Sequence, residues 1–174
     1  AKFGPLGVRE FEVFDLPYIF DDYAELHKVT EGPAGKALFK KLETKGIVGL
    51  AFWELGFRNI TNSKRAINTV ADIDGLKLRV IPNPINVDWV KALGANPTPM
   101  PFPEVYGGLE SKAIDGQENP LTVIASNKFW EVQKHLAITN HQYNPQSLIF
   151  SKKVWDTLSA DEKKILQDAA AEAS

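Results

Sequence analysis

The sequence predicts an α/β fold with largely parallel sheets, and three observations carry that prediction. Between Gly75 and Val80, Leu76, Leu78 and Val80 alternate with Lys77 and Arg79, the period of two that marks a half-buried strand. From Ile47 to Trp53 runs a nearly continuous apolar stretch bounded by Gly46 and Gly56, short enough for a strand buried on both faces. Helix signals surround them: Pro33 suits a first helical position, and Ser159 with Glu162 makes a capping box. Strands alternating with helices argue for an α/β architecture. No repeat, low-complexity tract or composition shift marks a linker, so a division into lobes is not visible from the pattern.

In chain order, residues 1–10, with Gly4, Pro5 and Gly7, read as loop, and Phe11–Phe20 as a short buried strand ending at Asp21 and Asp22. A helix is expected over Tyr23–Val29 and a second from Pro33 to Lys45, closed by Gly46 in a left-handed stop. After the Ile47 strand, Gly56–Lys64 is polar and turn-like. Pro84–Leu93 forms a helix with Ile85, Trp89 and Leu93 on one stripe. Thr98–Phe102 is extended, and Pro103–Ile114 is a helix weakened by Gly107 and Gly108. Leu121–Gln133 is helical in two pieces. Leu136–His141 and Ser147–Phe150 read as strands separated by Asn144 and Pro145, and a final helix runs through Ala173.

Composition bounds the function. A chain of 174 residues can bury roughly 70% of its unfolded surface around one sizeable core. A formal net charge of -2 gives no electrostatic reason for nucleic acid or an anionic membrane as partner. No apolar run approaches the roughly eighteen residues of a membrane helix. The chain opens at Ala1 without a basic-then-apolar leader, which implies a processed or truncated N-terminus. The absence of cysteine excludes disulfides, thiolate catalysis and cysteine metal sites, and fits a periplasmic protein as well as a cytosolic one. His27, His135 and His141 lack metal-ligand spacing and read as structural.

One pair of residues points to an anion. Arg79 faces away from Leu78 near the end of its strand, because Pro82 and Pro84 cannot continue a ladder. Its fork of donors fits carboxylate or phosphate in two places at once. Asn119 stands before Pro120, which biases it away from helical geometry; after the Asp115–Gly116 turn pair, its amide is expected in a loop. Taken alone these residues make a candidate anion site and no more, since a strand arginine is commonly a surface group and Asn-Pro commonly a turn.

Longer motifs add a resemblance. Gly-Leu-Lys-Leu-Arg-Val from Gly75, Gly-Ala-Asn-Pro-Thr-Pro-Met-Pro-Phe-Pro-Glu-Val-Tyr from Gly94 and Ala-Ile-Asp-Gly-Gln-Glu-Asn-Pro from Ala113 occur in order. Phe-Asp-Leu-Pro-Tyr-Ile-Phe and Gly-Phe-Arg-Asn-Ile-Thr-Asn-Ser-Lys-Arg precede them; Phe-Trp-Glu-Val-Gln-Lys and Leu-Ser-Ala-Asp-Glu-Lys-Lys follow. Together, over nearly the whole chain, they resemble the solute-binding proteins of TRAP (tripartite ATP-independent periplasmic) transporters. The resemblance implies a periplasmic-binding-protein-like fold, two α/β lobes with a ligand cleft between them. One lobe would hold residues 1–55 and 145–174 and the other 56–144. It implies a periplasmic protein, its signal peptide removed, that captures a dicarboxylate, sugar acid or similar carboxylate and delivers it to TRAP membrane subunits, without cofactor, metal or catalysis.

The residues that the resemblance assigns to the ligand are Arg79 as principal carboxylate clamp, Asn119 as a hydrogen-bonding partner, Arg58 as a second arginine and Phe102 as an aromatic cover. Trp53 is a weaker candidate for the cleft wall. Family members are substantially longer, so the resemblance also implies a chain truncated at both ends, with self-association through exposed sheet edges as one consequence. Two other classes compete: an α/β enzyme holding a carboxylate substrate with Arg79 and Arg58, and a ligand-sensing domain of the same fold. Against the enzyme stand the lack of a Ser-His-Asp arrangement, of a Gly-rich phosphate loop and of paired catalytic carboxylates. Glu118 is the lone acid beside Asn119.

Overall fold

A computed structural model describes residues 3–173; the first two residues of the segment expected as loop lie outside that range. The chain divides into two compact units. The first holds the described residues through Phe14, Ile19–Leu55 and the chain from Asn144 onward; the second holds Asp15–Tyr18 and Gly56–Tyr143.

In the first unit, the strand expected over Phe11–Phe20 is instead a 3₁₀ turn over Arg9–Asp15. At three residues per turn, Phe11 and Phe14 point the same way, and both are buried against Phe52. Helix α1, Tyr23–Thr30, starts at Asp22, whose side chain accepts from the Glu25 amide. Helix α2, Pro33–Glu43, opens on its proline and turns Leu38 and Leu42 inward. The two helices meet so closely that a Cβ on Gly35 would lie 1.8 Å from the Thr30 carbonyl oxygen. Phe39 of α2 stacks on Phe52 with centroids 4.2 Å apart. The last helix, whose first turn carries the capping box of Ser159 and Glu162, spans Ala160–Glu172.

Strand β1 covers Ile47–Asn62, longer than its apolar opening, and the polar stretch expected to be a turn is its buried end. The sheet has five strands in the order β3-β2-β4-β1-β5. Here β2 is Lys77–Val80, β3 is Asn96–Pro99, β4 is Gly116–Pro120 and β5 is His135–Ser151. Strand β2 pairs in parallel with β3 and β4, whereas β4 runs antiparallel to β1. The sheet is therefore mixed rather than largely parallel. Strand β5 runs unbroken through Asn144 and Pro145; it and β3, with Pro97 and Pro99, end the strand order, where a missing N–H is tolerated. Asn119, expected in a loop, lies in β4, because pairing of residues 116–120 with β1 outweighs the local turn signal.

Both faces of this sheet are covered within the second unit. Helix α3, Pro84–Ala92, packs Trp89 and Val90 on Ile60, Leu78 and Val80. A second cluster of Val105, Leu109, Ile114, Ile124 and Phe129 comes from helices α4, Val105–Glu110, and α5, Leu121–Ser126, and the segments beside them. Met100 and Phe102 pack against that cluster. Gly116 allows β4 to approach β1, since a Cβ there would lie 2.2 Å from the Thr61 carbonyl oxygen.

Candidate functional site

Alternation along paired strands decides which side chains share a face. Arg79 pairs with Gln117, Thr61 with Gln117 and Asn59 with Asn119. Arg79, Gln117, Asn119, Thr61 and Asn59 therefore line one face, and Arg58, Glu118 and Leu78 the other. Sequence reasoning treated Arg58 and Arg79 as two candidates for one ligand; the register sets them on opposite sides of the sheet.

On the Arg58 side, the guanidinium is 2% exposed and meets the fully buried Glu118 carboxylate through Nε. Its Nη2 donates to Oε1 at 2.8 Å and to the Glu118 backbone oxygen at 2.6 Å. His141 Nε2 lies 3.1 Å from Glu118 Oε2, and its Nδ1 lies 2.8 Å from Thr139 Oγ1. An ionised carboxylate only accepts, so Nε2 carries a proton, and the Thr139 hydroxyl can donate to Nδ1 of a neutral ring. The Trp89 ring covers the imidazole with centroids 4.8 Å apart. Burial pushes the Glu118 carboxyl up, but the Arg58 charge and the hydrogen bonds from His141 and Arg58 outweigh it and hold the pKa at about 2. The charges here answer one another.

On the other face Arg79 is equally buried, at 2% exposure. Its Nε donates to the Met100 carbonyl at 2.9 Å, and its guanidinium carbon lies 6.0 Å from the Phe102 ring centroid. That is at the outer edge of a cation–π contact. Among the described residues, none accepts from its two terminal nitrogens. Burial is the main cause that lowers its pKa, to about 10; Glu118 opposes the shift and Arg58 adds to it. The group stays charged at neutral pH, in a place where burial penalises that charge. Asn119 is buried, and its Nδ2 donates to Gln117 Oε1 at 2.5 Å.

The structure thus brings Arg79, Asn119 and half-buried Phe102 to one side of the sheet and seats Arg58 across it. Trp53 belongs to the first unit, and its indole N–H donates to the Ala170 carbonyl at 3.4 Å. Sequence reasoning missed the pairing of Glu118 with Arg58 and His141. Their separations in sequence, 60 and 23 residues, follow no local period, and only strand order brings them together. A surface pocket of about 350 Å³, lined by Lys64, Leu109 and Gln133 among others, contains none of the candidate ligand residues. Among the described residues, no group of three or more metal-ligating side chains exists, and no helix is long and apolar enough to cross a membrane.

A family model described as DctP, bacterial extracellular solute-binding protein, family 7, matches residues 1–174. The chain belongs to this family. Its members are solute-binding proteins of the extracytoplasmic space rather than enzymes, as the resemblance implied. The chain is 49% identical over its whole length to the C4-dicarboxylate-binding periplasmic protein DctP of Rhodobacter capsulatus, covering 52% of that protein. A TRAP periplasmic solute-binding protein from Polaromonas sp. JS666, bound to D-erythronate, superposes with a TM-score of 0.93 at 48% identity, over 98% of this chain and 57% of the other. The sugar acid binding protein DctPAm from Advenella mimigardefordensis, in complex with galactonate, gives 0.91 at 51% identity, over 94% and 53%. The chain spans about half the length of the curated relatives it matches.

Proposed function

We propose that the Arg79 face binds the carboxylate of a small organic acid, and that the intact protein delivers this acid to the membrane subunits of a TRAP-type secondary transporter. One observation carries the reading: an arginine only 2% exposed, oriented through Nε and with no acceptor for its two terminal nitrogens among the described residues. A dehydrated cation gains most from a partner of opposite charge, and the planar fork suits a carboxylate. Asn119 adds a polar contact, and the Phe102 ring covers the carbon skeleton. Across the sheet Glu118 already answers the charge of Arg58, so Arg79 meets the anion. Relatives named for C4-dicarboxylates and solved neighbours holding D-erythronate and galactonate support this choice of ligand class.

Thermal shift of the intact protein with succinate, D-erythronate and D-galactonate tests the proposal. A bound acid at a hundredfold excess over its Kd stabilises by about 2.7 kcal/mol, and Arg79→Ala should remove most of that shift. Equal shifts in wild type and variant would refute Arg79 as the clamp.

A further inference from the structure

The amide of Asn119 is oriented by a chain of hydrogen bonds that begins far from it. Gln133 Nε2 donates to the backbone carbonyls of Val132, at 3.0 Å, and Asp115, at 3.4 Å. A carbonyl can only accept, so this end of the Gln133 amide is fixed as nitrogen and its Oε1 must point the other way. There it accepts from Thr61 Oγ1 at 2.8 Å. Having given its proton to Gln133, the Thr61 hydroxyl must accept from Gln117 Nε2, also at 2.8 Å. That donation turns Gln117 Oε1 toward Asn119, which in turn must offer Nδ2. All four side chains are buried, so water does not readily substitute for a member of the chain.

Two backbone carbonyls therefore decide which end of the Asn119 amide is used up. One N–H goes to Gln117, and among the described residues no donor reaches Asn119 Oδ1. Among the described residues, the buried face thus combines a cation whose terminal nitrogens lack acceptors with an amide oxygen that lacks donors, on neighbouring strands. A carboxylate answers the first. The second asks for a hydroxyl close by on the same molecule.

From this polarity we infer that the site selects 2-hydroxy acids over acids without that hydroxyl, and that Thr61, Gln117 and Gln133 are positioning residues for the discrimination. The inference rests on Arg79 being the carboxylate clamp. It adds that Asn119 Oδ1 accepts from the hydroxyl beside the carboxylate, and that Thr61 and its neighbours act only through Asn119.

Calorimetric titration of the intact protein tests it with D-erythronate and 3,4-dihydroxybutanoate, the same acid lacking the hydroxyl next to its carboxylate. Wild type should bind D-erythronate at least about tenfold more tightly, the weight of one buried hydrogen bond. In Thr61→Val, isosteric but unable to relay, the preference should collapse toward unity while binding of the dihydroxy acid changes little. Thr61→Ser should restore it, and Gln133→Leu should repeat the loss, with melting temperatures confirming that each variant folds. A purely structural role for Thr61 would weaken both acids equally and leave their ratio intact, which overturns the inference. Equal affinity of wild type for the two acids overturns it as well, while leaving Arg79 as clamp. Failure of both acids and of succinate to bind would remove the clamp itself.

Discussion

Arg58 and Arg79 are the same residue type, equally buried, in one sheet, yet they differ in what answers their charge. Arg58 meets a carboxylate on two oxygens, and an imidazole meets the same carboxylate from another strand. Arg79 is anchored by one backbone carbonyl and brushed by one aromatic ring, and no acceptor among the described residues takes its terminal donors. Burial alone therefore says little about an arginine's task. What distinguishes structure from site is whether the described residues supply the counter-charge. Where they do, the pair fixes the sheet; where they do not, the anion is the ligand that we propose.

The greatest loss should follow when Arg58 is deprived of its counter-charge. Glu118→Ala leaves a buried cation without its carboxylate, and chemical unfolding should register a loss of about 3–5 kcal/mol. If stability barely moves, the pair is not what holds that face. Next in size, Arg79→Ala should leave the unfolding free energy within about 1 kcal/mol, because no internal carboxylate loses its partner. Acid binding should weaken by about a hundredfold through the loss of charge-assisted bonds. A large stability loss here would mean that Arg79 is structural like Arg58.

Acid offers a third test, and its sign follows from Glu118. Folding lowers that pKa from 4.5 to about 2, so the unfolded chain takes up the proton first. The stabilisation is complete above about pH 4.5 and is lost as pH falls toward 2. Denaturant titrations across that window should show the loss in wild type and a smaller one in Glu118→Gln. Because Arg79 titrates near 10, affinity for an organic acid should fall as pH rises through that value, while stability from Glu118 is unaffected. Smallest of all, Phe102→Leu should weaken acid binding only severalfold, since a cation–π contact at that distance is worth about 0.5–1 kcal/mol.

Local pattern made one of the two faces readable in advance. The alternation from Leu76 to Val80 placed Arg79 opposite Leu78, as the structure has it, and the cap at Ser159 and the proline at Pro33 located their helices. Signals failed where distant pairing outvoted them. Asn-Pro after Asp-Gly spells a turn, yet β1 captures residues 116–120 as a strand. Gly56–Lys64 looks solvated because it is polar, yet Arg58, Asn59, Thr61 and Asn62 are buried, each with a partner from elsewhere in the fold or a nearby backbone carbonyl. Polar residues that satisfy one another across strands have no one-dimensional signature, which is why Glu118 looked like a lone acid and His141 like a generic structural histidine.

The most direct test is a crystal structure of the intact protein with D-erythronate. The proposal requires the ligand carboxylate to lie within about 3 Å of both terminal nitrogens of Arg79, in the range of charge-assisted hydrogen bonds, with the Arg58–Glu118 pair intact across the sheet. A carboxylate seated instead on Arg58, with Glu118 displaced or Arg79 left unpaired, would contradict it.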